Sequence, residues 1–106
     1  MPPARLTLQA RRDVQAAFVA ISADSAWAAR RFQALLKDLL IRLGEYPSIG
    51  VERPEIIGPP YRFAAFRGFP YLAVYNSRHR PPLVVRIPHG AQDLANLLRD
   101  LPLNDV

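Results

Sequence analysis

The chain has 106 residues and a mass of 11.9 kDa, which suits a single domain spanning 1–106 with one modest core. Half its residues are hydrophobic and 22% are charged, a globular rather than a disordered composition. Cysteine is absent, which excludes a disulfide scaffold, a thiolate nucleophile and any zinc site with Cys ligands. With two histidines, His79 and His89, a metal site or other cofactor site is not expected. The apolar runs fall far short of the ~20 residues that a membrane helix needs. The start, Met1 to Arg5, lacks the pattern of a secretory signal, so no membrane association and a cytoplasmic location are expected.

The net charge of +5 is unevenly placed. Between Tyr61 and Gly90 lie five arginines (Arg62, Arg67, Arg78, Arg80, Arg86), both histidines and no acid. The rest of the chain carries nine bases against nine acids. A basic block of this kind attracts nucleic acid, an acidic protein surface or an acidic disordered segment. Lys37 is the sole lysine, and the remaining bases are Arg, the better bidentate donor for carboxylates and phosphates.

Arg5–Gln9 alternates apolar and polar residues and predicts a short strand. From Arg11 to Ser22 the period becomes helical, with Val14, Ala17, Phe18 and Ile21 forming one apolar stripe. Ala23-Asp24 leaves room only for a tight turn. Ser25 is a suitable N-cap for a second helix whose stripe runs through Ala28, Phe32, Leu35, Leu36, Leu39 and Leu43. Gly44 is placed to stop it. Two amphipathic helices so closely joined pack as an antiparallel hairpin, and Trp27 reads as a packing residue.

Glu45–Pro60 is a breaker-rich connection whose Ile56-Ile57 pair should reach the core. Tyr61–Arg67, Tyr71–Asn76 and Leu83–Pro88 are β-rich runs with short connections, which predicts an antiparallel meander. Aromatic residues on both faces of the first run imply that both are covered. A last helix from Ala91 to Leu101 presents Leu94, Leu97, Leu98 and Leu101, with Pro102 ending it. The expected fold is α+β in the order β-α-α-β-β-β-α, an antiparallel-dominated sheet of three or four strands packed against the N-terminal helical hairpin.

This order and several local runs resemble the RelE/ParE toxin superfamily of type II toxin–antitoxin systems, and the ParE branch within it. The resembling residues include Leu6-Thr7-Leu8-Gln9-Ala10 with Asp13, Ala29-Arg30-Arg31-Phe32, Leu43-Gly44-Glu45-Tyr46-Pro47 and Tyr61-Arg62. The most specific is Val84-Val85-Arg86-Ile87-Pro88-His89-Gly90-Ala91-Gln92-Asp93-Leu94, similar to a closing motif in which an apolar strand bearing Arg runs into His-Gly-Ala-Arg-Asp. Gln92 stands where the family has that second Arg, which removes a charged donor. The resemblance implies a non-enzymatic toxin that binds DNA gyrase and causes growth arrest, as in plasmid stabilization. It also implies a small cognate antitoxin, acidic or partly disordered, with assembly as a homodimer or a toxin–antitoxin hetero-oligomer. The RelE branch instead cleaves mRNA on the ribosome, and a non-toxic relative would retain antitoxin binding alone.

The candidate partner-binding residues are Arg62, Arg67, Tyr71, Tyr75, Arg78, Arg80, Arg86 and His89, on the sheet face and the hairpin. No catalytic set is assigned, because no acid lies on the predicted hairpin strands and the C-terminal segment is a plain leucine-rich helix. Tyr71 and Tyr75, at i and i+4 of one strand, share a face. His89 ends a strand and reads either as a hydrogen bond fixing the corner or as a partner contact. Arg86, on an otherwise apolar strand, needs a partner such as Asp93 or an open face. Asp93 is also placed to stabilise the start of the last helix.

Overall fold

The structure is a computed structural model that describes residues 1–101. The chain forms β1 (Arg5–Leu6), α1 (Leu8–Asp24), α2 (Ala26–Glu45), β2 (Tyr61–Ala65), β3 (Leu72–Asn76), β4 (Leu83–Arg86) and α3 (Leu94–Leu98). The strands make one mixed sheet in the order β1-β4-β3-β2. β2–β3 and β3–β4 are antiparallel, as the meander requires, whereas β1 docks parallel to β4 with Arg5 opposite Leu83 and Leu6 opposite Val84. The α+β class and the element order match expectation.

The first strand is much shorter than the alternation over Arg5–Gln9 suggested. Thr7 ends it by capping α1: its Oγ1 accepts the Ala10 N–H at 3.0 Å and donates to the Val85 carbonyl at 3.1 Å. The helix therefore begins at Leu8 rather than Arg11, and Leu8 lies exposed instead of sharing a buried strand face with Leu6. Ser25 alone joins the two helices, closing α1 through its N–H to the Ile21 carbonyl and capping α2 through Oγ to the Ala28 N–H at 3.1 Å.

Gly44 does not stop α2. It lies within the helix, which continues to Glu45 and is closed by Tyr46. Its role is to let the N-terminal arm cross: a Cβ there would overlap the Pro2 carbonyl oxygen and sit 2.9 Å from Pro3 Cα. The arm is fixed by the Ala4 N–H, which donates to the Leu40 carbonyl at 2.8 Å. Trp27 is 65% exposed and packs no core, contrary to its expected role, because its position falls off the Ala28–Phe32–Leu36 stripe.

The core has two layers, one on each side of the sheet. Toward the helices lie Phe32, Leu36, Leu39, Leu43, Phe66, Ala73, Tyr75, Val84 and Ile87, with Phe32 stacked on Phe66 at 4.8 Å. On the other side Ile57, Tyr61, Phe63, Val74 and Leu98 form a smaller cluster that Ile56, Leu94, Leu97 and Leu101 cover. Full burial of each large apolar side chain contributes about 1.5–3 kcal/mol, so both faces of β3 hold the fold. The second layer fulfils the reading that neither sheet face is wet and that Ile56-Ile57 reaches the core.

The last helix is five residues long instead of spanning Ala91–Leu101. Ala91 and Gln92 belong to a turn in which the Gln92 N–H donates to the His89 carbonyl, and Asp93 caps the helix by accepting the Asn96 N–H at 3.3 Å. Pro102 lies outside the described residues.

Candidate partner-binding surface

The basic block of the sequence does not form one continuous surface. Arg62 leaves β2 toward the loop after α2 and donates from Nη1 to the Gly50 carbonyl at 2.9 Å and the Ser48 carbonyl at 3.3 Å. Tyr75 is fully buried, and its hydroxyl donates to the Pro47 carbonyl at 2.6 Å while accepting the Gly50 N–H at 2.9 Å. Burial pushes this phenol above its ordinary value, against the smaller lowering effects of the Gly50 hydrogen bond and the Arg62 charge. Tyr75 offers a partner no surface; it is a strut between β3 and the 47–50 loop.

Arg86 is likewise engaged, but not by Asp93. Its Nε and Nη2 donate to Asp13 of α1 at 2.8 and 3.2 Å, and the Ile87 N–H donates to the same carboxylate at 2.9 Å. The sheet register shifts between Val74 and Tyr75, so that β4 carries Val85 as an extra residue. Such a bulge re-aims the side chains beside it, and here Arg86 turns to α1. Asp93 faces its own helix as a cap. Asp13 as the partner of Arg86 escaped the sequence reading, since nothing local links two residues 73 apart.

The 77–82 turn is internally braced. Asn76 Oδ1 accepts the N–H groups of Arg78 and His79 at 2.9 and 3.1 Å. Arg80 folds its guanidinium onto the Ser77 and His79 carbonyls, and His79 Nδ1 donates to the Pro81 carbonyl at 2.8 Å. Of this trio, Arg78 is exposed and its side chain has no hydrogen bond or ion pair among the described residues.

Tyr71 and His89 stay at the surface margin. They are bridged through the backbone and meet edge to face at 5.2 Å, with Tyr71 also against Phe32 at 5.5 Å. His89 Nδ1 accepts the Ala91 N–H at 3.0 Å, so the neutral ring carries its proton on Nε2. The Gln92 side-chain oxygen accepts the His89 N–H at 2.9 Å. An Arg at that position has no acceptor, so Gln92 exchanges a charged donor for a closed turn. His89 borders two clefts, one of about 430 Å³ reaching Ile21, Ala28 and Phe69, the other of about 250 Å³ reaching Asp13 and Arg86.

Arg67 follows β2 and is exposed. With Arg42 it flanks a groove of about 390 Å³ whose walls are Leu35 and Leu39 of α2 and Ala65 and Phe66 of the sheet. Leu35, Leu39 and Arg42 were readable as one helix face from their spacing, but only the fold sets that face beside the β2 edge. Among the described residues no group of three His, Asp or Glu side chains converges to hold a metal, and no helix is long and apolar enough to cross a membrane.

Of the predicted residues, the structure brings Tyr71, Arg86 and His89 together at one end of the sheet. It sets Arg62 and Tyr75 under the 47–50 loop, Arg78 and Arg80 on the turn, and Arg67 at the groove.

Comparison with known proteins places this arrangement. Nothing among curated proteins matches the chain. Among solved structures, a chain of the chromosomal ParDE TA system from P. aeruginosa superposes with a TM-score of 0.68 at 18% identity, covering 84% of this chain and 96% of that one. That likeness establishes the shared fold. The family model for the ParE toxin of the type II toxin–antitoxin system parDE matches residues 4–94, from the arm that crosses α2 to the first residue of α3. On that match, the chain belongs to the ParE toxin family of type II toxin–antitoxin systems.

Proposed function

We propose that this toxin acts in the cytoplasm by gripping DNA gyrase, arresting growth without chemistry of its own, and that a cognate antitoxin neutralises it in a hetero-oligomer. Membership of the ParE toxin family supports this reading. The observation that favours binding over RNA cleavage is the engagement of Arg86 by Asp13. Phosphodiester cleavage needs a base, an acid and free cations around the phosphorane. Here Arg86 is held by a carboxylate, Arg62 by two carbonyls and the Tyr75 hydroxyl by Pro47 and Gly50. His89 has a tyrosine ring and a backbone N–H as neighbours and no carboxylate partner among the described residues. A gripping role needs none of these groups free and draws on the exposed Arg67, Arg78 and the Tyr71–His89 margin.

The deciding experiment is gyrase cleavage-complex formation with purified protein, with and without the product of the adjacent gene. Linearised plasmid should accumulate with the toxin, disappear with the antitoxin and leave ribosome-bound mRNA uncut. Cleavage of mRNA on the ribosome, lost on Arg86→Ala or His89→Ala, would overturn this reading in favour of an endonuclease. Antitoxin binding with neither effect would mark a non-toxic relative.

A further inference from the structure

The two helices carry outward stripes that the fold does not use. On α2 the exposed Trp27, Arg30, Ala34, Lys37 and Ile41 each precede by two a buried residue, namely Ala29, Phe32, Leu36, Leu39 and Leu43. Two residues turn an α-helix by about 200°, so this stripe lies opposite the core. The same offset holds on α1. There the exposed Leu8, Arg12, Gln15 and Val19 precede Ala10, Val14, Ala17 and Ile21, all of which pack in the helix-side core. Because Ser25 alone joins the helices, the hairpin sets Leu8 level with Ile41, Arg12 with Lys37, and Val19 with the start of α2 at Trp27 and Arg30. Apolar side chains are thereby held out to water on one rigid face: Leu8 is 65% exposed, Val19 63%, Trp27 65% and Ile41 40%. A single exposed apolar residue is ordinary, but a set gathered on one face marks an interaction surface.

Among these apolar groups the side chains of Arg12, Arg30 and Lys37 make no hydrogen bond or ion pair among the described residues. Neither stripe holds an acid, and Asp38 stands at the border of the second. Charge and shape together select the occupant. A second copy of this chain brings its own cations against these. A nucleic acid matches the cations and leaves the apolar side chains without partners. An extended, disordered segment finds no strand edge here, because a helix spends its backbone groups internally. The folded surface of another protein fits, acidic opposite the three cations and with an apolar hollow for Trp27. Trp and Arg are the residues that most often carry the energy of such interfaces.

We propose that the outer face of the α1–α2 hairpin docks on an acidic surface of the toxin's protein target, with Trp27 as its apolar anchor. This site rests on the gyrase reading above and names residues outside those invoked there. The test is binding of the full-length toxin to purified gyrase at low and high salt, for the wild type, Trp27→Ala, Arg12→Glu and Arg30→Glu, with Arg99→Glu as a charge reversal away from this face. Trp27→Ala should weaken binding by at least about tenfold, as loss of a central aromatic anchor does, with its salt dependence unchanged. Each reversal at Arg12 or Arg30 should weaken it by at least about fivefold and flatten the salt dependence, while Arg99→Glu stays within about twofold. Binding to the product of the adjacent gene should stay within about twofold for every variant, which also reports that each has folded. If the wild type binds gyrase and the three face variants bind within about twofold of it, this site is wrong while the gyrase reading stands. Loss of antitoxin binding by folded variants, with gyrase binding kept, overturns the site in favour of the antitoxin. Weakening by the two reversals but not by Trp27→Ala, matched by the same pattern on duplex DNA alone, overturns it in favour of a nucleic acid. If the wild type does not bind gyrase, the gyrase reading fails and takes the site with it.

Discussion

Asp13 of α1 and Arg86 of β4 are joined by two hydrogen bonds, and the same carboxylate also receives the Ile87 N–H. The pair is partly buried, with side-chain exposures of 11% for Asp13 and 22% for Arg86. It locks the first helix to the last strand, and its loss strands a guanidinium and a main-chain donor together. Asp13→Ala should therefore cost about 2–3 kcal/mol, somewhat less than the loss of one partner in a fully buried pair. Arg86→Met should cost less, because Asp13 keeps the Ile87 N–H. Urea denaturation of the variants checks the order; equal midpoints for Asp13→Ala and the wild type would show the pair to be ornamental.

Gly44→Ala reverses the usual helix rule. Alanine in a helix interior is normally better than glycine by about 1 kcal/mol. Here the new methyl overlaps the Pro2 carbonyl, which is backbone and cannot swing aside like a side-chain tip. The substitution should destabilise the full chain by roughly 1–3 kcal/mol, the range for overpacking. In a chain lacking Pro2 and Pro3 the same substitution should be neutral or stabilising. Thermal melts of the four proteins measure the sign change.

Tyr75 predicts a pH dependence. Its phenol titrates near pH 10 when unfolded and higher when folded, because burial disfavours the phenolate. A raised folded value means that the neutral hydroxyl's contribution is full below about pH 10 and is lost as the pH climbs through the folded value. Tyr75→Phe should remove this alkaline loss. It should also cost about 1–3 kcal/mol at neutral pH by leaving the Gly50 N–H without its acceptor. Denaturation midpoints between pH 8 and 11 separate the two effects.

Thr7 tests the boundary between β1 and α1. Thr7→Ser keeps both the cap and the Val85 bond and should be close to neutral, whereas Thr7→Val loses both and should cost about 1–2 kcal/mol. By contrast Trp27→Ala, at an exposed position, should shift stability by less than about 0.5 kcal/mol despite its size.

These cases also show what could be read without coordinates. The α2 stripe from Phe32 to Leu43 and the three meander strands were legible because burial imposes their periods. The first strand was overextended because Leu6 and Leu8 alternate by chance across a capping Thr7. Gly44 was misread as a stop because the Pro2–Pro3 arm that crosses it lies forty residues away in the chain. Of the candidate surface, Arg67 and Arg78 are exposed, whereas Tyr75, Arg62 and Arg86 are consumed internally. Residue type and strand position could not distinguish a binding arginine from a bracing one, because the distinction lies with Asp13 and the 48–50 carbonyls.

The parallel docking of β1 on β4 has a consequence for how the molecule is made. A strand at residues 5–6 whose only sheet neighbour among the described residues is 83–84 has nothing there to pair with until most of the chain has left the ribosome. At typical elongation rates of about 5–20 residues per second, the finished helical hairpin waits some 2–8 s for residues 46–84. During that interval its Phe32–Leu43 stripe is bare, so a chaperone or an already folded partner could meet the nascent toxin before its sheet is complete.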